Sequence, residues 1–342
     1  MIIPFFIPHA GCPHQCVFCN QRGITGAASP PDPSSIAHTI ESRMTTASQK
    51  TPYQVAFYGG SFTALPLESQ RSYLEAVQPF IKAGTVANIR LSTRPDGLSL
   101  EVIALLKEHT VTTVELGVQS MDDRVLMISG RGHAAQDTVR SVRLLREHSL
   151  SIGLQLMPGL PGDSRETFAA TVEAVIGLQP DFVRIYPALV IKDTLLERLY
   201  RDGRYTPLLL DDAVAICADA MTNFEKVGIQ VIRVGLQPSE ELERPGTIVA
   251  GPYHAAFRQL VQSSLLLARM RGILDQRPSP CSDASLRVNP RDLSSAIGQK
   301  RRNIHLLRQE FGLRTISFET DPAVPRGRVR SHHACADNPP EV

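Results

Sequence analysis

What most constrains this chain is an alternation that runs from its N-terminus to about residue 235. Short apolar or β-branched runs near 3–8, 54–58, 87–93, 112–118, 151–157, 181–186 and 229–234 are separated by stretches with apolar residues at helical spacing, at 67–81, 100–109, 138–147, 165–176 and 213–227. Strands that alternate with helices are joined by crossovers, and crossovers leave the strands parallel. The units are too few for a closed eight-fold barrel. The expected fold class is therefore α/β, a partial barrel of the (βα)6 type or a curved open sheet. Such sheets carry their chemistry at the C-terminal ends of the strands. The polar and glycine-rich segments fall there: Gly59-Gly60-Ser61, Thr93-Arg94-Pro95-Asp96, Gly117-Val118-Gln119-Ser120, the segment from Met157 to Gly162, and Tyr186-Pro187.

Beyond this series the pattern changes. Residues 238–252 are polar, with Pro245, Gly246 and Gly251, and read as a loop; 254–274 reads as an apolar helix, and 277–283, with Pro278 and Pro280, as a linker. After Asp321 the chain is rich in Pro, Arg and His and poor in apolar residues, so disorder is expected, with His332, His333 and Cys335 as tail residues and not a metal tract. The expected organisation is a core over 1–250, a connecting helix and linker over 251–280, a small basic region over 281–320 and a disordered tail over 321–342.

The 342 residues are 42% apolar and 20% charged, with a mean hydropathy of −0.08. No run of about 18 apolar residues and no basic-then-apolar leader is present, so membrane and secretory readings drop out and a cytosolic location is expected. The formal charge of +2 is unevenly spread. Residues 251–342 hold 14 basic and 8 acidic side chains, net +6, which leaves net −4 for residues 1–250. Contact with a polyanion therefore belongs to the C-terminal part.

Three of the six cysteines, Cys12, Cys16 and Cys19, fall within eight residues just after the first strand. That is metal-ligand spacing and not a disulfide framework. Three soft donors on one tight loop suit iron–sulfur or zinc. A [4Fe–4S] cluster held by three thiolates keeps one iron free to bind something else, whereas a fourth ligand from His9 or His14 would make a zinc site.

The C-x3-C-x2-C segment, with Phe18 before the last cysteine, resembles the radical S-adenosylmethionine superfamily. The resemblance implies that Cys12, Cys16 and Cys19 hold a [4Fe–4S] cluster whose open iron chelates S-adenosylmethionine, and that one electron, from a donor such as flavodoxin or ferredoxin, cleaves the sulfonium to a 5′-deoxyadenosyl radical. The segment from Tyr58 to Thr63 is similar to the family's glycine motif, in which Gly59, Gly60 and Ser61 approach the cofactor through the backbone, as only glycine permits. Thr93-Arg94-Pro95-Asp96, the segment from Leu116 to Ser120 with Arg131-Gly132-His133, and the segment from Leu189 to Lys192 with Gly203-Arg204-Tyr205 resemble the Elongator catalytic subunit in particular. Carried over by position, Ser92, Thr93, Gln119, Arg131 and Gln155 become candidates for the cofactor's surroundings. Arg131 also offers a charged fork suited to a carboxylate. Tyr186 is a candidate to face the substrate or relay a hydrogen atom, and Glu115 reads as an interior or edge carboxylate. Two departures from the Elongator pattern stand out: the cysteine spacing is the compact form, and neither the length nor a glycine-rich pyrophosphate loop after residue 250 supplies an acetyltransferase domain.

In the basic region, the order strand, helix, helix, strand, with Ile297-Gly298 before a loop and Asn303-Ile304 opening the second helix, resembles the KH RNA-binding core. Arg301 stands where that family's loop has its second glycine. Lys300, Arg301, Arg302, Arg308 and Arg314 form a local positive cluster suited to phosphates. The combined expectation is a radical enzyme acting on a tRNA or other RNA base. Two rivals remain: radical chemistry on a small molecule of the tetrapyrrole type, and a zinc-stabilised RNA-binding module without catalysis.

Overall fold

The computed structural model describes residues 1–25, 29–46, 52–276 and 282–332. The chain divides into one unit of residues 1–213 with 223–255, and a second of 214–222 with 256–342.

In the first unit the strand signals become seven parallel strands in sequence order. They are β1 (Ile2–Phe6), β2 (Tyr53–Tyr58), β3 (Val86–Thr93), β4 (Val111–Gln119), β5 (Ser151–Leu156), β6 (Phe182–Ile185) and β7 (Gln230–Val234). The edge strands β1 and β7 do not pair with each other, so the sheet is the curled, open half-barrel expected. Each crossover carries helix, among them Leu100–Glu108, Ala135–Glu147, Arg165–Leu178 and Leu210–Lys226. Several helices start on a side-chain cap: Ser99, Ser164 and Thr194 accept the N–H of Val102, Thr167 and Glu197, each cap stabilising by about 1 kcal/mol. The expected helix at 67–81 is instead two, Leu67–Glu75 and Gln78–Lys82. Pro79, which has no N–H to donate, sits in the first turn of the second, where the missing donor is harmless.

The two faces of the sheet differ in chemistry. Ile89, Leu91, Val114, Leu116, Leu154 and Ile185 are fully buried and form the core with Ile103, Leu106, Leu145 and Val175 of the helices. Each such side chain contributes about 1.5–3 kcal/mol relative to an exposed one. The alternate residues Ser92, Glu115, Gln155, Arg184 and Arg233 turn to the concave side. An interior this polar is not a packed barrel core; it is the wall of a cavity.

The second unit is an α+β fold. Strand β8 (Asp283–Val288) pairs in parallel with β9 (Thr315–Thr320) and antiparallel with β10 (Val329–His332). Helices Phe257–Asp275, Leu293–Ile297 and Arg302–Phe311 complete it. The strand-helix-helix-strand order at 283–320 matches the reading. Two boundaries do not. The helix expected as a connector, Phe257–Asp275, places Leu266, Leu267, Met270 and Leu274 in one core with Leu286, Val288, Ala296 and Leu307, so it belongs to this unit. The expected disorder fails over 321–332. Val324 is fully buried, its carbonyl accepts from Asn289 Nδ2, and Asp292 receives Arg326 Nε and the Gly327 N–H, so the turn delivers Val329–His332 to the sheet edge. The remaining tail, 333–342, and most of the expected linker, 277–281, lie outside the described residues.

Candidate active site

One cavity of about 780 Å³ occupies the concave face of the half-barrel. The loop after β1 brings Cys12, Cys16 and Cys19 into its wall. Its path is set by interlocking with the glycine loop after β2. Ser61 N–H donates to Ala10 O at 2.9 Å. A Cβ on Gly60 (φ +53°) would fall 2.3 Å from that same carbonyl oxygen, and one on Gly11 2.2 Å from Ser61 O. Two main chains approach here as only glycine permits. Gln21 adds a side-chain tie, its Oε1 accepting the N–H groups of His9 and Gly60, both at 2.8 Å. The Gln21 N–H in turn donates to His9 Nε2 at 3.0 Å, so that nitrogen is not available as a fourth zinc ligand.

Two of the three thiols, Cys12 and Cys19, are held in an environment that resists their ionisation. Burial, and then the neighbouring Cys16 and Cys12, push the Cys19 thiol up to about 12. Cys12 is raised as well, by burial first and Cys16 second. A cation is what makes thiolates stable in such a place, since ligand binding expels the protons. Among the described residues no three His, Cys, Asp or Glu side chains gather about a single-ion point. Three soft thiolate donors on one loop suit a [4Fe–4S] cluster that keeps one iron open. One cation is already at hand. Arg131 is buried, its Nη1 donating to Cys16 Sγ at 3.1 Å and its Nη2 to Gly117 O at 2.5 Å.

Glu115 and Arg184, which also line the cavity, belong to an ion network. Glu115 Oε1 lies 2.6 Å from Arg90 Nη2 and its Oε2 2.5 Å from Arg184 Nε. Arg184 also donates to the hydroxyls of Tyr186, at 3.2 Å, and Tyr58, at 3.4 Å. The Arg90 guanidinium lies 5.2 Å from the centre of the Phe182 ring. Gly153 makes room for this arrangement, because a Cβ there would sit 2.3 Å from Phe182 and 3.1 Å from Glu115 Cγ. Burial, and then the Glu115 carboxylate, raise the Tyr58 phenol above its ordinary value. It therefore stays protonated throughout the physiological range.

Of the residues singled out in the sequence, the three cysteines, Gly59, Gly60, Ser92, Thr93, Gln119, Arg131, Gln155 and Tyr186 all border this cavity. Ser61 does not. It is fully buried beneath the loop, its hydroxyl 2.9 Å from Thr93 Oγ1 and 3.3 Å from the Arg94 N–H that it accepts, so it braces the glycine loop instead of facing a ligand. The sequence reading missed Arg90, Arg184 and Arg233. Their signal was a charged residue at alternate positions of strands that are otherwise apolar.

Residues 6–175 match the radical SAM superfamily, and residues 180–266 match the radical SAM C-terminal domain. The chain belongs to the radical SAM superfamily. A tRNA uridine(34) acetyltransferase of Methanocaldococcus infernus is 34% identical over 139 residues, 40% of this chain and 26% of that protein. The heme chaperone HemW of Bacillus subtilis is 26% identical over 199 residues, 56% of this chain and 52% of that one. Among solved structures, Elp3 of Methanocaldococcus infernus superposes with a TM-score of 0.62 at 23% identity, covering 77% of this chain and 62% of that chain, a likeness of fold. This radical SAM chain thus spans only about a quarter of the acetyltransferase's length. The superfamily's cofactors are a [4Fe–4S] cluster and S-adenosylmethionine, for which the three thiols and the cavity beside them provide. No helix among the described residues is long and apolar enough to cross a membrane.

Proposed function

We propose that this radical SAM enzyme modifies a base of tRNA, with uridine at position 34 as the first candidate. The observation that carries the reading is the similarity of its radical core to proteins named for that nucleoside. The basic C-terminal unit supports it, because a net +6 over residues 251–342 gives an RNA phosphate chain something to bind. In that unit Lys300 and Arg301 are exposed beside Arg302 and Arg308, and both adopt left-handed backbone, with φ of 51° and 61°.

When bound, the cluster and S-adenosylmethionine supply a carbon-centred radical that removes a hydrogen atom from the substrate. The chain's own part is positional. Cys12, Cys16 and Cys19 hold the cluster, and Arg131 fixes the orientation of Cys16 and stabilises negative charge on its sulfur. Gly59, Gly60, Ser92, Thr93, Gln119 and Gln155 form the wall against which the cofactor lies. The Glu115 carboxylate holds Arg90 and Arg184 in place on the inner face of the sheet. A reduced flavodoxin or ferredoxin in the cytosol delivers the electron.

The test is binding of unmodified tRNA over a series of salt concentrations, with turnover to 5′-deoxyadenosine measured with and without it. The reading expects salt-dependent binding that weakens in a Lys300→Ala, Arg301→Ala, Arg308→Ala variant, and a faster turnover with tRNA. Binding no different from that of any polyanion and turnover indifferent to tRNA, especially with porphyrin bound to the purified protein, would overturn it.

A further inference from the structure

Hydrogen-bond polarity around Arg184 in the cavity lining defines what a ligand there must offer. A guanidinium carries donors only. Because Arg184 donates to the hydroxyl oxygens of Tyr58 and Tyr186, both oxygens act as acceptors and both O–H groups remain to be donated. Among the described residues neither hydroxyl has a second partner. Both tyrosines are half-buried and border the same cavity as the three thiols. A hydroxyl that already accepts from a cation is also the more strongly polarised donor. Beside them is a surface for a flat ring. Phe6 is 42% exposed, borders the cavity, and has its ring centre 6.1 Å from that of Tyr58. Aromatic faces of this kind stack on bases whatever their sequence.

We infer that the Tyr58 and Tyr186 hydroxyls form a two-donor subsite, backed by Arg184, that binds the C4 keto oxygen of a uracil base; the inference rests on the tRNA reading above. Two donors suit an oxygen with two lone pairs. An exocyclic amino group in the same place brings further donors, so the phenols lose their acceptor and stay unpaired in a half-buried site. Uracil and cytosine differ by that exchange of a keto for an amino group at C4. The subsite therefore selects uridine over cytidine, while stacking on Phe6 adds affinity for either.

The test uses the reconstituted holoenzyme and two RNA hairpins, identical except for uridine or cytidine at the anticodon position 34. Initial rates of 5′-deoxyadenosine formation are compared for wild type, Tyr58→Phe, Tyr186→Phe and the double variant, with iron content and cluster absorbance confirming that each variant is folded and loaded. Wild type is expected to favour the uridine hairpin by about tenfold or more. Each single variant should narrow that ratio and the double variant should bring it close to unity. A wild-type ratio of one with turnover still stimulated by RNA, or a ratio unchanged in the double variant, overturns the subsite and leaves the tRNA reading standing. No stimulation by either hairpin removes both.

Discussion

Glu115 holds two guanidinium groups on the inner face of the sheet, and its own side chain is 6% exposed. Removing it leaves Arg90 and Arg184 as uncompensated buried charges. Glu115→Ala is expected to lower stability by about 3–5 kcal/mol, read from denaturant unfolding. A loss within experimental error of a surface substitution would mean that water already screens the network. His133 offers a second test at this scale. Burial, and then Arg131 and Arg94, push its imidazole down to about 4. The unfolded chain therefore takes up a proton near pH 6.5 that the folded chain refuses. Its contribution to stability is fully present above pH 6.5 and is lost as pH falls toward 4, to a total of about 3 kcal/mol. His133→Asn should flatten that part of the stability-versus-pH curve; an identical slope in the variant would remove the assignment. The cysteines were legible in the sequence because ligand identity and spacing alone define a metal loop. The direction of Ser61 was not, since it depends on how the glycine loop threads against Ala10, and no local pattern encodes that approach.

At the scale of elements, the site depends on two loops that only glycine lets interlock. Gly60→Ala places a methyl group against the carbonyl oxygens of Ala10 and Ile7 in a left-handed conformation. The expected outcome is a cost of about 1–3 kcal/mol and a displaced cysteine loop, seen as reduced iron per chain after reconstitution. Full iron loading in that variant would show that the loops yield. The parallel strands were legible because each is a short β-branched run followed by an amphipathic helix, a local pattern with one common solution. Pro79 gave its break as a local signal too, although helical spacing on both sides masked it. Strand β10 was hidden for a different reason. Its place is fixed by Asp292, Asn289 and the buried Val324, contacts that cross more than thirty residues, while its own composition is that of a tail.

For the whole molecule, seven parallel strands with an apolar outer face and a polar inner face leave a half-barrel whose concave side is free for a cofactor and substrate. The same division explains why the Arg90–Glu115–Arg184 network escaped the sequence reading. A charged residue in an apolar strand could equally mark an exposed edge, and only the curl of the sheet turns these positions toward one another. The order of strands and loops was legible to about residue 235, and the family models cover residues 6–175 and 180–266. The C-terminal unit was legible from 283 to 320, where its strand-helix-helix-strand order is continuous in sequence. The helix before it was legible as a helix, but its place in this unit's core was not, because an apolar stripe does not name the surface it will cover.

The central claim is that the loop of Cys12, Cys16 and Cys19 carries a cluster that cleaves S-adenosylmethionine. The most direct measurement is 5′-deoxyadenosine formed by anaerobically purified protein, reconstituted with iron and sulfide and reduced with S-adenosylmethionine present, in wild type and in Cys16→Ala. Product from wild type and none from the variant, which should lack the brown cluster absorbance, is the expected result. Wild type that binds zinc and no cluster, or equal product from both proteins, would contradict it.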